Sequence, residues 1–355
     1  MCRFAAPGYL VYRQANSLMA APFDPLKVEI TGPAVEVAED VMPAQYNISA
    51  SGSLVYLPGS GAEESSLLMV DRKGVASPLT APTRNYQELR MSPDNSRFAL
   101  TISGESSDVW IYDLQRETLT RLTFEGAQNP VWTPDGKRLT YVSRRNGTRK
   151  VFLKNADGSG AEQEIMKGEV QPVSWSPDGK YLVYNELSQI SRSQDIWIFS
   201  TEQKKAEPFA QTPFREVGGY FSPDGHFLAY SSQESGGSQV YVQAFPGGGG
   251  KWQISTDGGN GPRWNPNGRE LFYIDDDNKL MSVEVNTSPS FSAAKPRKLF
   301  EATFVNREFS DYEPGPDGQH FIALAANKKE TVTPQINLVL NWFEDLKRRV
   351  PTGSK

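Results

Sequence analysis

The stretch SWSPDGKYLVY, residues 174–184, places a Pro-Asp-Gly step between a tryptophan and a run in which buried-type apolar residues alternate with others. Proline presets the backbone of a β-turn, aspartate bonds to nearby backbone amides, and glycine accepts the left-handed conformation that follows. The run after the turn has the period of two that is typical of a strand. The stretch therefore predicts two antiparallel strands joined by a tight corner.

The same corner recurs through the chain. Its glycine position is occupied in turn by Gly8, Gly52, Asn95, Gly136, Gly179, Gly225, Gly268 and Gly318. Successive positions lie 41 to 50 residues apart, and a period in the low forties with about four strands per unit is typical of propeller blades. Four residues before the glycine stands an apolar residue, Trp132, Trp175 and Trp264 among them. We interpret these large side chains as core, because packed blades must fill a wedge.

The composition agrees with this interpretation, since 30 Gly, 25 Pro and 11% aromatic residues favour turns and strands over helices. We predict an all-β fold, a β-propeller of eight four-stranded blades forming a single domain over residues 1–355. The alternative is seven blades, with the first and last repeats merged. The repeats lie approximately at 1–41, 42–83, 84–126, 127–169, 170–214, 215–258, 259–305 and 306–350. Near-helical spacing of Trp342, Phe343, Leu346 and Val350 predicts a short helix at the carboxyl end.

The SPDG corners and the third strands DVWIYD and DIWIFS resemble the TolB-type, WD-like propeller repeat. Longer stretches, such as TPFREVGGYFSPDG and INLVLNWFEDLKRRVP, resemble the carboxyl-terminal propeller region found behind kinase domains in large bacterial proteins, especially of Acidobacteria. That resemblance implies a sensing or binding role. In that family further repeats normally precede the segment corresponding to Tyr9, so we expect a fragment or a free-standing relative. No Gly-rich nucleotide loop, HRD or DFG motif occurs in the sequence.

Several classes of partner are disfavoured by composition. A net charge of −5 leaves no basic excess for a phosphate backbone, so nucleic acid is not expected. No apolar run approaches the roughly 20 residues of a membrane span, and Arg3 interrupts what would be the apolar part of a signal peptide. The single cysteine, Cys2, cannot form an internal disulfide or a metal cluster. We therefore expect a soluble, monomeric protein without a cofactor or metal, and the sequence indicates no compartment.

Candidate binding residues come from the innermost strands, because these strands border the central channel of a propeller. One residue before the repeated apolar position stand Arg90, Arg263, Glu313 and Asn47, and Glu88 and Arg215 stand upstream of that position in their repeats. Arginine binds a carboxylate through two parallel hydrogen bonds. These residues predict a ligand-binding site for a protein or a polar small molecule that carries a carboxylate. The alternative is a water-filled channel whose charges pair with each other.

Two classes of function are open at this point. The first is a non-catalytic binding, sensory or scaffold propeller, and the second is a hydrolase or lyase acting on a saccharide or ester through Glu88, Glu313 or Asp311. The chain has no G-x-S-x-G motif. His226 and His320 each follow a Pro-Asp-Gly corner, where a solvated side chain without a catalytic or metal role is expected. The acidic run at 275–277 is interpreted as a solvated hairpin tip rather than a cation site.

Overall fold

The computed structural model describes residues 2–6, 8–14, 17–58, 64–104, 106–145, 147–187, 193–302, 312–326 and 335–350. The chain divides into two compact units. Residues Met1–Glu63 and Asn327–Lys355 form one, which we call the terminal unit, and Glu64–Ala326 form the other, which we call the ring unit.

The described residues are mostly β-strand, with one short helix, α1, at Trp342–Arg349. The strands in chain order are β1 Cys2–Ala5, β2 Tyr9–Gln14, β3 Ser17–Asp24, β4 Glu29–Ile30, β5 Val35–Ala38, β6 Val41–Ile48, β7 Leu54–Pro58, β8 Ser65–Asp71, β9 Ala76–Pro78, β10 Asn85–Met91, β11 Arg97–Ser103, β12 Ser107–Asp113, β13 Thr118–Arg121, β14 Gln128–Trp132, β15 Arg138–Arg145, β16 Thr148–Asn155, β17 Gln163–Lys167, β18 Val170–Trp175, β19 Tyr181–Leu187, β20 Gln194–Ser200, β21 Lys205–Ala210, β22 Glu216–Phe221, β23 Phe227–Ser232, β24 Gln239–Ala244, β25 Lys251–Gln253, β26 Asn260–Trp264, β27 Glu270–Ile274, β28 Lys279–Asn286, β29 Ser292–Ala293, β30 Arg297–Glu301, β31 Tyr312–Pro314, β32 His320–Ala326 and β33 Asn337–Val339.

The described part of the ring unit contains six antiparallel sheets, which we number as blades. Blades 1 to 4 consist of β10–β13, β14–β17, β18–β21 and β22–β25. Blade 5 consists of β26–β30, with both β29 and β30 pairing with β28. Blade 6 is composite, in the order β31, β32, β8, β9, so its two outer strands come from the start of the unit.

The inner strands of the six blades follow one another around an axis, and the last of them, β31, contacts the first, β10. The two ends of the unit join inside blade 6, where β32 pairs with β8 from His320 opposite Asp71 to Ala326 opposite Ser65. Pairing the two ends in one sheet leaves no open edge between the first and last blades. The ring unit is therefore a closed β-propeller.

The all-β propeller fold is confirmed. The described residues form eight sheets in total, but six of them close the ring, so neither eight nor seven blades around one axis is confirmed. The predicted repeats 42–83 and 306–350 each contribute strands to both units. A single domain over the whole chain stays a prediction.

A second closing contact of the ring lies beside blade 6. Arg72, directly after β8, pairs with Glu270 of blade 5 at 2.5 Å and 2.9 Å, and it also donates to the carbonyl of Gly318 at 2.8 Å. Glu270 accepts further bonds from Ser282 and from Asn265. Burial would raise the pKa of Glu270, but these bonds, led by that of Arg72, hold it below its usual range. This pair joins the outer part of blade 6 to blade 5.

The corners of blades 1 to 4 are built by the same hydrogen bonds. In the corner of blade 3, the Ser176 hydroxyl donates to Asp178 Oδ1 at 2.6 Å, and the same oxygen accepts the amide of Lys180 at 3.1 Å. The Ser176 bond lowers the pKa of Asp178. Gly179 takes φ 71°, in the left-handed region. The hydroxyl-to-aspartate bond recurs at Ser92, Thr133 and Ser222.

The repeated aromatic position joins neighbouring blades. Trp132 and Trp264 are buried, and each indole donates to a backbone carbonyl of the preceding blade, at Arg90 (3.0 Å) and Tyr220 (2.9 Å). Their core role is confirmed. Trp175 is partly exposed, and its indole donates to Thr140 Oγ1 of blade 2 at 2.8 Å.

The terminal unit contains a five-stranded sheet of β1–β5, a three-stranded sheet of β6, β7 and β33, and α1. Trp342, Leu346 and Val350 are buried in the core of this unit, so the predicted carboxyl-terminal helix is confirmed. Arg349, at the end of the helix, donates to the carbonyl groups of Val37 and Glu36 at 2.9 Å and 2.6 Å.

Candidate functional site

The inner strands of blades 1 to 5 each contain a register shift directly before the residue that precedes the repeated apolar position. In blades 1 and 2 the bulge places Glu88 and Asn129 at φ 57° and 55°. A bulge bends its strand and redirects the next side chain. We call the redirected site the axial position, and its six occupants in the ring unit are Arg90, Val131, Ser174, Tyr220, Arg263 and Glu313.

Charged and phenolic side chains of the axial position meet one another. Arg263 Nε lies 3.1 Å from Glu313 Oε1, and Arg90 Nη1 lies 3.4 Å from the same oxygen. Arg90 Nη2 donates to the hydroxyl of Tyr220 at 3.3 Å. Blades 1 and 4 are opposite each other in a ring of six, so this last bond crosses the axis. With Tyr312, whose ring lies 5.8 Å from the Arg263 guanidinium, these residues form what we call the axial cluster.

The axial cluster is largely removed from solvent. The side chain of Arg263 is 3% exposed, whereas those of Arg90 and Glu313 keep 13% and 14%. The Arg263 guanidinium lies 3.9 Å from the centre of the Tyr220 ring, a cation–π contact. Burial works against the charged form of Arg263, but Tyr220 and Glu313 beside it hold its pKa above the usual range. Burial likewise raises the pKa of Tyr312, whose hydroxyl donates to the Gly261 carbonyl at 2.9 Å.

The cations of the axial cluster outnumber the carboxylates that the described residues place beside them. Two guanidinium groups share the single carboxylate of Glu313. The Nε of Arg90 is buried and has no hydrogen-bond partner among the described residues. Asp311, a further predicted carboxylate, lies outside the described residues. The cluster as described thus holds two cations on one carboxylate, and Arg90 keeps one buried donor without a partner among the described residues.

The other three predicted residues have different surroundings. Glu88 accepts the amide and side-chain NH₂ of Asn129 at 2.6 Å and 2.7 Å and the hydroxyl of Thr101 at 2.5 Å. Arg215 donates twice to Gln194 Oε1, at 3.1 Å and 2.7 Å. Asn47 belongs to β6 of the terminal unit and is exposed. The structure thus brings together Arg90, Arg263 and Glu313, and the roles of the other three at a shared site stay predictions.

The remaining polar candidates lie outside the axial cluster, and they are on the surface except Asp275, which is buried and so is not the solvated residue that was expected. His226 is exposed, and half-exposed His320 has its Nδ1 2.8 Å from Asp317 Oδ2. Asp275 Oδ1 accepts the amides of Asp277 and Lys279, which closes a hairpin. Across the described residues, no set of three His, Cys, Asp or Glu side chains is placed to hold a metal ion. Within the same part of the chain no helix has the length and apolarity to cross a membrane.

Sequence reasoning missed two features of these surroundings. Tyr312 directly precedes Glu313, so it lies one residue before the axial position and was not predicted. Arg149 lies on β16, a third strand, and therefore outside the innermost strands from which the candidate residues were predicted. Its Nη2 donates to Asn129 Oδ1 at 3.3 Å, and only the structure reveals this contact.

Comparison with known proteins agrees with the fold. Residues 87–194, within the ring unit, match the family model of the TolB beta propeller domain. The chain carries a TolB-type propeller. A solved structure assigned to TolB from Agrobacterium tumefaciens aligns with a TM-score of 0.60 at 17% identity, covering 74% of this chain and 98% of that one.

Two bacterial relatives share parts of this TolB-type sequence. Atu1656 of Agrobacterium fabrum is 26% identical over 201 residues, which are 52% of this chain and 68% of that protein. The Tol-Pal system protein TolB of Anaeromyxobacter dehalogenans is 28% identical over 123 residues, which are 34% of this chain and only 27% of that protein. A TolB-type propeller supports a binding or scaffold role in general. The resemblance to kinase-linked proteins stays a prediction.

Proposed function

We propose that the ring unit is a non-catalytic binding propeller that takes a carboxylate group of a partner protein at the axial cluster. The observation that carries this proposal is the sharing of one carboxylate, that of Glu313, by Arg90 and Arg263. The name of the relative from Anaeromyxobacter dehalogenans, a protein of the Tol-Pal system, favours a protein partner over a small molecule.

Burial strengthens the repulsion between the two arginines of the axial cluster. Like charges repel more strongly in a partly desolvated site than on an open surface, because the effective dielectric constant is lower and salt screens less. A second carboxylate would add counter-charge beside the two guanidinium groups and could accept a bond from Arg90. An aspartate or glutamate side chain, or a chain terminus, supplies such a group in a geometry that matches the guanidinium fork.

The two arginines have different parts in this proposal. Arg263 is almost completely buried, holds Glu313 and stacks on Tyr220, so it supports the cluster. Arg90 keeps 13% exposure and has the unused Nε, so it is the side chain that would contact a partner. We still expect Arg263→Ala to weaken binding by about 1.5 to 3 kcal/mol, the value of a charge-assisted hydrogen bond, but its burial makes loss of stability a competing effect.

Arg90→Gln is therefore the sharper variant, and Arg97→Gln is its matched control. Arg97 belongs to the same blade and also stacks on an aromatic ring, that of Trp132 at 4.9 Å, but it lies outside the axial cluster. The probe is a fluorescein-labelled peptide of alternating Gly and Asp, compared with a Gly-Asn peptide of equal length. Fluorescence anisotropy should show binding of the Asp peptide alone, weakened by about 1.5 to 3 kcal/mol in Arg90→Gln and unchanged in Arg97→Gln. Equal binding of both peptides, or an unchanged Arg90→Gln, would mean that the channel charges are structural.

The hydrolase or lyase alternative requires carboxylates that are free to act on a substrate. Glu313 is held by two arginines, and both Glu88 oxygens accept hydrogen bonds within the protein. These contacts weaken the alternative. A screen with ester and glycoside substrates tests it, because hydrolysis that disappears in Glu313→Gln would support an enzyme and contradict our proposal.

A further inference from the structure

A small pocket lies between blades 1 and 2, at the end of the strands opposite the Pro-Asp-Gly corners. Its volume is about 290 Å³. The polar residues of its lining are Ser106, Ser107, Gln128, Ser143, Arg144 and Arg149. Two arginines, three serines and one glutamine give a lining rich in hydrogen-bond donors. None of these residues belongs to the axial cluster.

Of the two arginines in this lining, Arg149 lies farther from its counter-charge. Its side chain is 24% exposed, and it donates one hydrogen bond, to Asn129 Oδ1 at 3.3 Å. Among the described residues, only the carboxylate of Glu169 comes within 4.0 Å of its guanidinium. Glu169 is itself held by both of its oxygens to Arg144 Nη2, at 2.7 Å and 2.8 Å. Arg149 thus has most of its five donors available at the pocket.

The orientation of Arg149 is set by a neighbour of the inner strand. The side-chain NH₂ of Asn129 donates to Glu88 Oε1 at 2.7 Å, so the amide oxygen of Asn129 is turned toward Arg149. Asn129 separates the Glu88 carboxylate from the guanidinium. Burial lowers the pKa of Arg149, and the attraction of Glu169 does not offset this effect. A partly buried charge whose nearest anion is 4.0 Å away and is shared with Arg144 has a desolvation cost that a bound anion would offset.

We propose that this pocket binds a small oxyanion, a carboxylate or a phosphate, with Arg149 as its principal contact. Arg144, whose side chain is 54% exposed, lies at the rim and is paired there with Glu169. The pocket volume stands at the lower end of the range for ligand sites, about 300 to 1,000 Å³, so it suits one small anion or a single acidic group. This inference concerns other residues than the proposed function and is independent of it.

The test uses succinate and inorganic phosphate as probes, each titrated to about 20 mM, enough to saturate a millimolar site, at constant ionic strength. Isothermal titration calorimetry on the whole chain measures the dissociation constants of the wild type, Arg149→Gln and Lys150→Gln. Lys150 is the matched control, because it is the next residue of β16 but pairs with Glu164 at 2.8 Å away from the pocket. We expect saturable binding of at least one probe, weakened about tenfold or more in Arg149→Gln because a charge-assisted bond is lost, and unchanged in Lys150→Gln.

Two outcomes decide against the pocket. Absence of saturable binding of both probes would overturn the proposal, and so would equal weakening in Arg149→Gln and Lys150→Gln, which indicates a general charge effect. If Arg149→Gln does not fold, Arg149→Lys keeps the charge while losing the planar fork and should weaken binding less. Preference for succinate identifies a carboxylate site, and preference for phosphate a phosphate site. Arg90→Gln should leave these constants unchanged, which separates this test from that of the axial cluster.

Discussion

The Pro-Asp-Gly corners and the axial positions belong to the same inner strands, but they differ in how they repeat. At the corners of blades 1 to 4, a hydroxyl donates to the same aspartate oxygen each time. At the axial position, two residues before the corner hydroxyl, the six blades have six side chains of five residue types. The corner satisfies its own backbone within each blade, whereas an axial side chain must find its partner in another blade.

This difference separates two kinds of contact in the ring unit. Local, repeated contacts build a blade, and unrepeated contacts between blades close the ring or make a site. Arg72 with Glu270 is an unrepeated contact that joins blade 6 to blade 5, and Arg90 with Tyr220 is one that crosses the axis. Substitutions at unrepeated contacts should therefore have larger and more individual effects than those at repeated ones.

The largest effect on stability is expected at the pair of Arg72 and Glu270. Arg72→Ala leaves Glu270, whose side chain is 10% exposed, with only the more exposed Arg297 at 3.6 Å as a counter-charge among the described residues, and breaking a buried pair costs up to about 3 to 5 kcal/mol. Chemical denaturation measures the free energy of unfolding. Arg269→Ala, which removes an exposed neighbouring arginine, is the control and should cost less than about 0.5 kcal/mol. Similar losses in both variants would show that the pair does not stabilise the closed ring.

The same pair should make stability depend on pH. Because Arg72 helps to lower the folded-state pKa of Glu270, its contribution is present above the unfolded-state value of about 4.3 and is lost as the pH falls through the folded-state value. Arg72→Ala should therefore lose less stability than the wild type between neutral and acidic pH.

Substitutions at two glycines compare an inner strand with a corner directly. Gly219, on the inner strand of blade 4, has φ 117°, and a Cβ there would lie 2.6 Å from Val183 Cγ1, whereas at Gly179 of a corner the nearest atom is 4.0 Å away. We expect Gly219→Ala to cost about 2 to 4 kcal/mol through overpacking and backbone strain. Gly179→Ala meets only the strain of a left-handed residue, about 1 to 2 kcal/mol. Thermal unfolding ranks the two, and an equal or reversed order would contradict the comparison.

The corner hydroxyls should have moderate and similar effects. Ser176→Ala removes the bond to Asp178 and also the acceptor of the Tyr181 amide, which should cost about 1 kcal/mol. Ser92→Ala and Ser222→Ala remove equivalent bonds. Their free energies of unfolding should agree within about 0.5 kcal/mol, and a wide spread would mean that the corners are not equivalent.

The smallest effect is expected at the histidines. His226 is exposed and His320 makes one surface pair with Asp317, so His226→Ala and His320→Ala should each change the free energy of unfolding by less than about 0.5 kcal/mol. Loss of ligand binding or of any activity in either variant would contradict their placement at the surface.

The sequence by itself determined the local architecture of this protein. The spacing of the corners, the alternation after them and the tryptophan before them are short-range patterns, and they predicted blades, core residues and the carboxyl-terminal helix because turn chemistry and burial act within a few residues. They also identified Arg90, Arg263 and Glu313 as residues of one repeated position.

Only the tertiary structure decided which strands and side chains meet. Blade 6 forms from β31, β32, β8 and β9 because backbone pairing can join strands from the two ends of the unit, and a repeat count along the chain does not contain that choice. Glu88 binds Asn129 rather than the axial cluster because bulges place both residues in the left-handed region. Long-range register and bulge geometry depend on the closed ring, and so the partners of the charged residues follow from it.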